Sequence, residues 1–424
     1  MQAVDAGRAG NRPVPGGLSL LTGPGAGELL IAAATAMGAR VVSWRVRHVD
    51  HQPGRATTVG YWVRLCWRDG VTTEERFGAT TAAVPEGTLV LDDGDQRVAV
   101  WRFPFDPHLP GLPHATDDAA VAGLLSRFGF GAARPRLEVR AYRPGSRGVI
   151  QVTGERGTLF LKVVRPVRVR RLHERHRTLR RVGVPVPPSL GYTDEGVVVL
   201  QALPGETLRA VLRSGAGPLP DAEDVLRLLD RLPASLAVGA PRRSWLDRVA
   251  YYADVLAAVL PEEGDRVRHL AEAITAGATA GPVVPVHGDL YDSQLLVQGG
   301  EIIGLLDIDT AGAGDRVDDL GCLLGHLSVL ARAAPQQAAV IDGLGSAYLA
   351  AFARAVPDAV ELRRRAAAVA LALATGPHRV HQNGWRSATK RRLDVAESWL
   401  AGAPDPTRWP LPPALVHAYD GQID

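Results

Sequence analysis

Between Pro282 and Val297 the chain reads PVVPVHGDLYDSQLLV. His287 and Asp289 fall in a short polar loop between two apolar stretches, and Gln294 closes that loop. After a QGG turn around Gly299 the chain continues EIIGLLDIDTAGAGDRVDDLG, with Asp307 following the apolar run from Ile302 to Leu306. Two short apolar runs around a glycine turn predict a β-hairpin. Such a hairpin presents Asp289 before its first strand and Asp307 after its second, so both carboxylates share one end, with Gln294 between them in sequence. Carboxylates and an amide oxygen are hard donors of the kind Mg2+ prefers. Taken singly, each Asp also fits a turn or a strand-end cap; the pair at this spacing points to a site.

A second signal comes from the cations. Of the 48 basic residues only Lys162 and Lys390 are lysine, and the rest are arginine. A position that keeps lysine in such a background calls for a compact ammonium, not a planar guanidinium. Lys162 ends the apolar strand TLFLK, the third of three consecutive strand-like runs (LEVRAYRPG, RGVIQVTG, GTLFLKVV) joined by glycine-containing turns.

HGDLYDSQ matches the pattern His-x-Asp-x-x-x-x-Asn with Gln in place of Asn, and LLDIDTAG stands where protein kinases carry Asp-Phe-Gly. Over about residues 130–400 the chain resembles the aminoglycoside phosphotransferase-like branch of the protein-kinase-like superfamily. The resemblance implies ATP or GTP and Mg2+ as cofactors and a small polar molecule with a hydroxyl as acceptor: an aminoglycoside, amino sugar or sugar. It implies that Asp289 takes or orients the hydroxyl proton and that His287 holds the loop by hydrogen bonds. Asp307 and Gln294 are the implied metal ligands. Lys162 is expected on the nucleotide phosphates, with Glu174 as its helix partner. The turn YRPGSRGV is expected to cover the phosphates through the backbone amides of Gly145, Ser146 and Gly148. The connector from Gln201 to Leu203 is expected at the adenine edge.

Gln at position 294 and an N-terminal α+β module also resemble the maltokinase-like and amino-sugar-kinase-like members, although DIDTAGAG differs from their acidic stretch. An acidic rim of Asp289, Asp292 and Asp309 would favour a cationic or polyhydroxylated acceptor. The alternative is a kinase-shaped protein that has lost catalysis and serves as a binding or regulatory module. Gln294 and the off-stripe position of Glu174 are its support.

The elements that must position these residues are legible in outline. The chain has 424 residues, 46% hydrophobic and 22% charged, which are ordinary globular values. A net charge of +3 is too mild to imply a nucleic-acid or membrane partner. The arginine-rich stretch from Arg165 to Arg181 lacks interleaved aromatics and reads as a solvated helix. Two distant cysteines, Cys66 and Cys322, exclude a disulfide framework and fit a reducing cytoplasm. No secretory signal layout opens the chain, and no early apolar run reaches membrane length. TGPGAGE near Thr22 lacks the lysine of a phosphate loop and reads as a helix start.

The fold class expected is α+β, a two-lobed kinase-like fold preceded by a small α+β cap. The expected divisions are a disordered tail at 1–17, the cap at 18–110, a sheet-rich nucleotide lobe at 111–203 and a helical catalytic lobe at 204–424. FDPHLPGLPHATDD, from Phe105, reads as a linker because its three prolines interrupt any periodicity.

Overall fold

The computed structural model describes residues 17–92, 96–130, 135–215, 217–401 and 407–410. The tail expected at 1–17 lies outside them except for Gly17, which opens the first helix.

The cap comprises α1 (Gly17–Thr22), α2 (Gly25–Ala36), β1 (Ala39–Gln52), β2 (Ala56–Trp67), β3 (Thr72–Thr80), β4 (Val90–Asp92) and β5 (Arg97–Arg102). The strands form an antiparallel sheet in the order β1-β2-β3-β5-β4. Alternate residues of β2, Val59, Tyr61, Val63 and Leu65, point into a core closed by Leu21, Leu30, Ala33 and Ala34. The Tyr61 hydroxyl donates to the Leu21 carbonyl at 2.7 Å, tying α1 to the sheet.

The sheet-rich lobe follows: α3 (Leu112–Thr116), α4 (Asp118–Arg127), β6 (Arg136–Arg143), β7 (Arg147–Gly154), β8 (Gly157–Val164), α5 (Pro166–Arg181), β9 (Ser189–Tyr192) and β10 (Val197–Gln201). The order β6-β7-β8-β10-β9 puts β8 in the middle of the sheet, with α5 inserted after the third strand. Odd-numbered residues Leu159, Leu161 and Val163 bury one face of β8 against Leu109, Leu112 and Leu125. The strand period of two therefore turns Lys162 to the opposite face, beside Val198 on β10.

The stretch read as a linker is instead packed. Leu109, Leu112 and Ala115 recur at three-residue spacing, lie fully buried, and carry α3 into the core. The prolines masked a helical period that three apolar residues still kept.

The helical lobe comprises β11 (Glu206–Thr207), α6 (Leu208–Ser214), α7 (Ala222–Asp230), α8 (Val249–Val259), α9 (Gly264–Thr275), β12 (Val283–Val286), β13 (Leu295–Gln298), β14 (Glu301–Leu305), β15 (Gly312–Asp315), α10 (Arg316–Ala333), α11 (Ala338–Ala355), α12 (Ala359–Ala374), α13 (Gly376–Arg379) and α14 (Trp385–Leu400). α10 lies against α12 because Gly321 leaves no side chain in the way: a Cβ there would stand 2.4 Å from the Arg365 Cβ. The hairpin β13–β14 turns at Gly299 and Gly300, both at positive φ, as the QGG turn predicts. A second pair, β12 with β15, clamps the two ends of the same segment. β15 reads GAGD, without the β-branched residues that mark a strand in sequence. Among the described residues no helix is long and apolar enough to cross a membrane.

Candidate active site

The loop after β12 is held by a single buried carboxylate. Asp319, in the first turn of α10 and fully buried, accepts from the His287 amide through Oδ2 and from the Gly288 amide through Oδ1, both at 2.6 Å. Burial pushes the Asp319 carboxyl up to about 7, and the two N–H donors and Arg242 oppose that rise. Gly288 stands at φ +83°, and the Arg242 guanidinium lies directly over it, so any side chain would collide.

His287 is also fully buried. Its Nε2 donates to the Leu306 carbonyl at 2.8 Å, while the Thr310 hydroxyl donates to the His287 carbonyl at 3.1 Å. Burial keeps the ring below its ordinary pKa, hence neutral. It ties the loop to the end of β14.

Asp307 follows β14 in the left-handed region at φ 51°, a conformation that Asp tolerates better than most residues. Lys162 reaches it from β8: Nζ stands 2.7 Å from Asp307 Oδ1 and 2.5 Å from Asp309 Oδ1, and is only 7% exposed. Arg147, at the start of β7, takes the other Asp307 oxygen at 2.9 Å. Burial works to raise the Asp307 carboxyl, but Lys162 and Arg147 outweigh it and hold the group far below the usual carboxylate range.

Glu174 is not the partner of Lys162. It pairs with Arg170 at 2.9 Å on the exposed side of α5. The helix buries Val169, Leu172, His176 and Leu179, and that stripe turns Glu174 outward. The next residue, Arg175, faces the centre instead and donates to the carbonyls of Ile308 (3.1 Å) and Asp309 (2.5 Å). The carboxylate partner of Lys162 thus comes from the loop after β14, as Asp309. Glu174→Gln is expected to leave nucleotide KM unchanged. Asp309→Asn is expected to lower kcat/KM by about 10- to 100-fold, the equivalent of the ~1.5–3 kcal/mol of a charged hydrogen bond. Steady-state kinetics of the two variants side by side checks this.

The glycine turn between β6 and β7 is committed internally. The Gly145 amide donates to the Asp106 carboxylate at 2.7 Å, and the Ser146 amide closes the turn onto Arg143 at 3.0 Å. Gly148 is a ladder residue opposite Tyr142, and a Cβ there would stand 2.7 Å from Leu112. These amides are therefore not the open phosphate donors expected from the sequence; the turn offers Ser146 and the side chains of Arg143 and Arg147. At the connector, the Gln201 amide is used by the Pro188 carbonyl and that of Ala202 by Thr158. Leu203 is the first residue whose amide has no backbone partner among the described residues.

Asp289 has no side-chain hydrogen bond among the described residues. Burial and the nearby Asp307 raise its pKa above the ordinary carboxylate value, with Arg242, Arg147 and Arg248 opposing. Gln294 is 5% exposed, and its carbonyl accepts from the Leu306 amide at 2.8 Å, which sets it one residue before Asp307 across the hairpin. Its side-chain amide has no partner among the described residues. Asp292 is not on a rim: it is fully buried in a two-point pair with Arg209, at 2.5 and 3.0 Å. With Asp309 held by Lys162, the acidic rim expected from the sequence is neutralised inside the protein.

No group of three or more His, Cys, Asp or Glu gathers as a metal site among the described residues. The donors that could hold a metal are the Asp307 carboxylate, whose two oxygens here meet Lys162 and Arg147, and the Gln294 amide oxygen, which has no partner among the described residues. That set suits Mg2+, which keeps several waters and takes few protein ligands.

A model of the phosphotransferase enzyme family, APH, matches residues 138–360, just over half of the chain and all of the centre described above. The chain belongs to this family. The phosphotransferase therefore acts on an alcohol group, and its cap and its last two helices lie outside the matched span. Solved structures similar to it include a thermostable mutant of aminoglycoside phosphotransferase APH(4)-Ia in ternary complex with ADP and hygromycin B (14% identity, TM-score 0.46, 66% of this chain and 98% of that one). Another is the macrolide 2'-phosphotransferase MphH from Brachybacterium faecium (22% identity, TM-score 0.39, 65% and 97%). A third is a choline/ethanolamine kinase family protein from Mesorhizobium loti (18% identity, TM-score 0.45, 67% and 95%). No curated protein matches the phosphotransferase.

Proposed function

We propose that this phosphotransferase moves the γ-phosphoryl group of ATP or GTP, with Mg2+, to a hydroxyl of a small polar molecule. The observation that carries the reading is the crossing of Lys162 from the sheet lobe onto Asp307 at the hairpin end, with Asp289 in the same electrostatic field. In the reaction the acceptor oxygen bonds to phosphorus as the bond to the β–γ bridging oxygen breaks, and nucleoside diphosphate leaves. Asp289 orients the hydroxyl and takes its proton; Lys162 and Arg147 offset phosphate charge. Asp307 and Gln294 would hold Mg2+, which when bound supplies charge neutralisation at the phosphates.

A screen of hydroxylated acceptors with purified protein, reading nucleoside diphosphate release and mass gain of the product, tests this. Tight nucleotide binding without transfer to any acceptor would favour a catalytically inactive binding protein.

The pH profile follows from the direction of the Asp289 shift. The group must be ionised to accept a proton, and its pKa is raised. Activity is therefore expected to fall on acidification at a pH above that of an ordinary carboxylate. An acid limb of kcat/KM at or below about 4, the unperturbed value, would count against Asp289 as the base.

A further inference from the structure

α5 reaches both walls of the centre, each time through an arginine that ends on backbone carbonyls. The first wall is the glycine turn between β6 and β7. Arg165, the residue before α5, donates to the Gly145 carbonyl from Nε at 3.1 Å and from Nη2 at 2.9 Å. The second wall is the loop after β14, which carries Asp307 and Asp309. There Ile308–Thr310 form one tight helical turn, and the carbonyls at the end of so short a turn need partners outside it. Arg175 supplies them for Ile308 and Asp309 at 3.1 and 2.5 Å, and Arg242 for Thr310 at 2.9 Å. These bonds fix the loop without engaging the carboxylates of Asp307 and Asp309.

The helix between the two clamps is stiff and anchored. At 1.5 Å of rise per residue, Arg165 and Arg175 stand about 15 Å apart. Pro166 opens the helix with its φ already set. Val169, Leu172 and Leu179 pack into the same core as Leu305 and Ile308, and His176 Nδ1 donates to the Pro187 carbonyl at 2.8 Å. The turn and the loop also meet directly, through the Arg147–Asp307 pair at 2.9 Å. A phosphate entering between them competes for that arginine. Neither α5 clamp uses Arg147 or the Asp307 side chain, so the frame persists when the pair opens.

We propose that α5 is a bar that holds the glycine turn at a fixed distance from the Asp307 loop, with Arg165 and Arg175 as its positioning residues, and so sets the span that nucleotide phosphates enter. This rests on the phosphotransferase reading for what enters the span, but the linkage is testable in the free protein.

The full chain and three variants, Arg165→Gln, Arg175→Gln and the double, are titrated with ADP and Mg2+ by calorimetry. Each single variant should weaken ADP binding about tenfold. Changes at sites this far apart ordinarily add. A bar released at one clamp no longer holds the span, so the double variant should bind within about twofold of the singles. A double variant about a hundredfold weaker than the wild type, the product of the singles, overturns the bar, and so do singles that bind as the wild type does.

Hydrogen exchange without nucleotide provides a second arm. The Gly145 amide is held by Asp106, the Ser146 amide by the Arg143 carbonyl and the Ala311 amide by the Ile308 carbonyl. Arg175→Gln should speed exchange at all three, although it contacts only the loop. A rise confined to Ala311 overturns the bar. Exchange that spreads as expected in a protein that binds no ADP supports the bar and counts against the phosphotransferase reading alone.

Discussion

Asp289→Asn is expected to lower kcat by about 10²–10⁴-fold, the range for loss of a positioned general base, while nucleotide affinity stays near that of the wild type. The reason lies in what Asp289 does and does not touch. Its side chain holds no structural hydrogen bond among the described residues, so the amide replaces it without unpicking the loop. The loop itself is pinned from outside, by Asp319 on the His287 and Gly288 amides and by the His287 ring on Leu306. What Asn lacks is the basic lone pair beside the acceptor hydroxyl. Steady-state kinetics together with calorimetric nucleotide binding separates the two effects. Retention of full turnover by Asp289→Asn would place the base elsewhere.

Asp319→Ala is expected to act on both stability and rate. It strips the acceptor from two buried backbone amides, each costing about 1–3 kcal/mol when left unpaired, so the loss should fall at about 2–6 kcal/mol. Urea denaturation of wild type and variant measures it. The catalytic loop should lose its register at the same time, so the surviving folded fraction should show reduced kcat. Asp319→Asn keeps one acceptor oxygen but turns an NH2 toward the second amide, so it should fall between the two. A change of under about 0.5 kcal/mol for Asp319→Ala, the range of an ordinary surface substitution, would mean the loop is held by other contacts.

Much of the architecture was readable because its signals are local. The β13–β14 hairpin follows from two apolar runs and a glycine pair, and Lys162 stands out because lysine is so scarce. The alternation along TLFLKVV even decides which face of β8 the ammonium takes. What escaped depends on contacts between distant segments. Glu174 and Arg175 differ by one step of about 100° around α5, and only the burial of His176, a polar residue in an apolar stripe, fixes which faces the centre. The Gly145 amide looked open until Asp106, 39 residues earlier in a supposed linker, took it. Asp292 looked like a rim carboxylate because its partner Arg209 lies 83 residues away. Arg147 carried one readable hint, its place at the tip of the glycine turn facing the Asp307 hairpin.

The shared centre of Lys162, Asp307 and Asp309 is tested most directly by nucleotide affinity, measured by calorimetry for wild type and Lys162→Met with and without Mg2+. The predicted result is saturable binding in the wild type that Mg2+ strengthens and that the variant weakens by about tenfold or more. Equal affinity in the two proteins, unaffected by Mg2+, would contradict a nucleotide site at this centre.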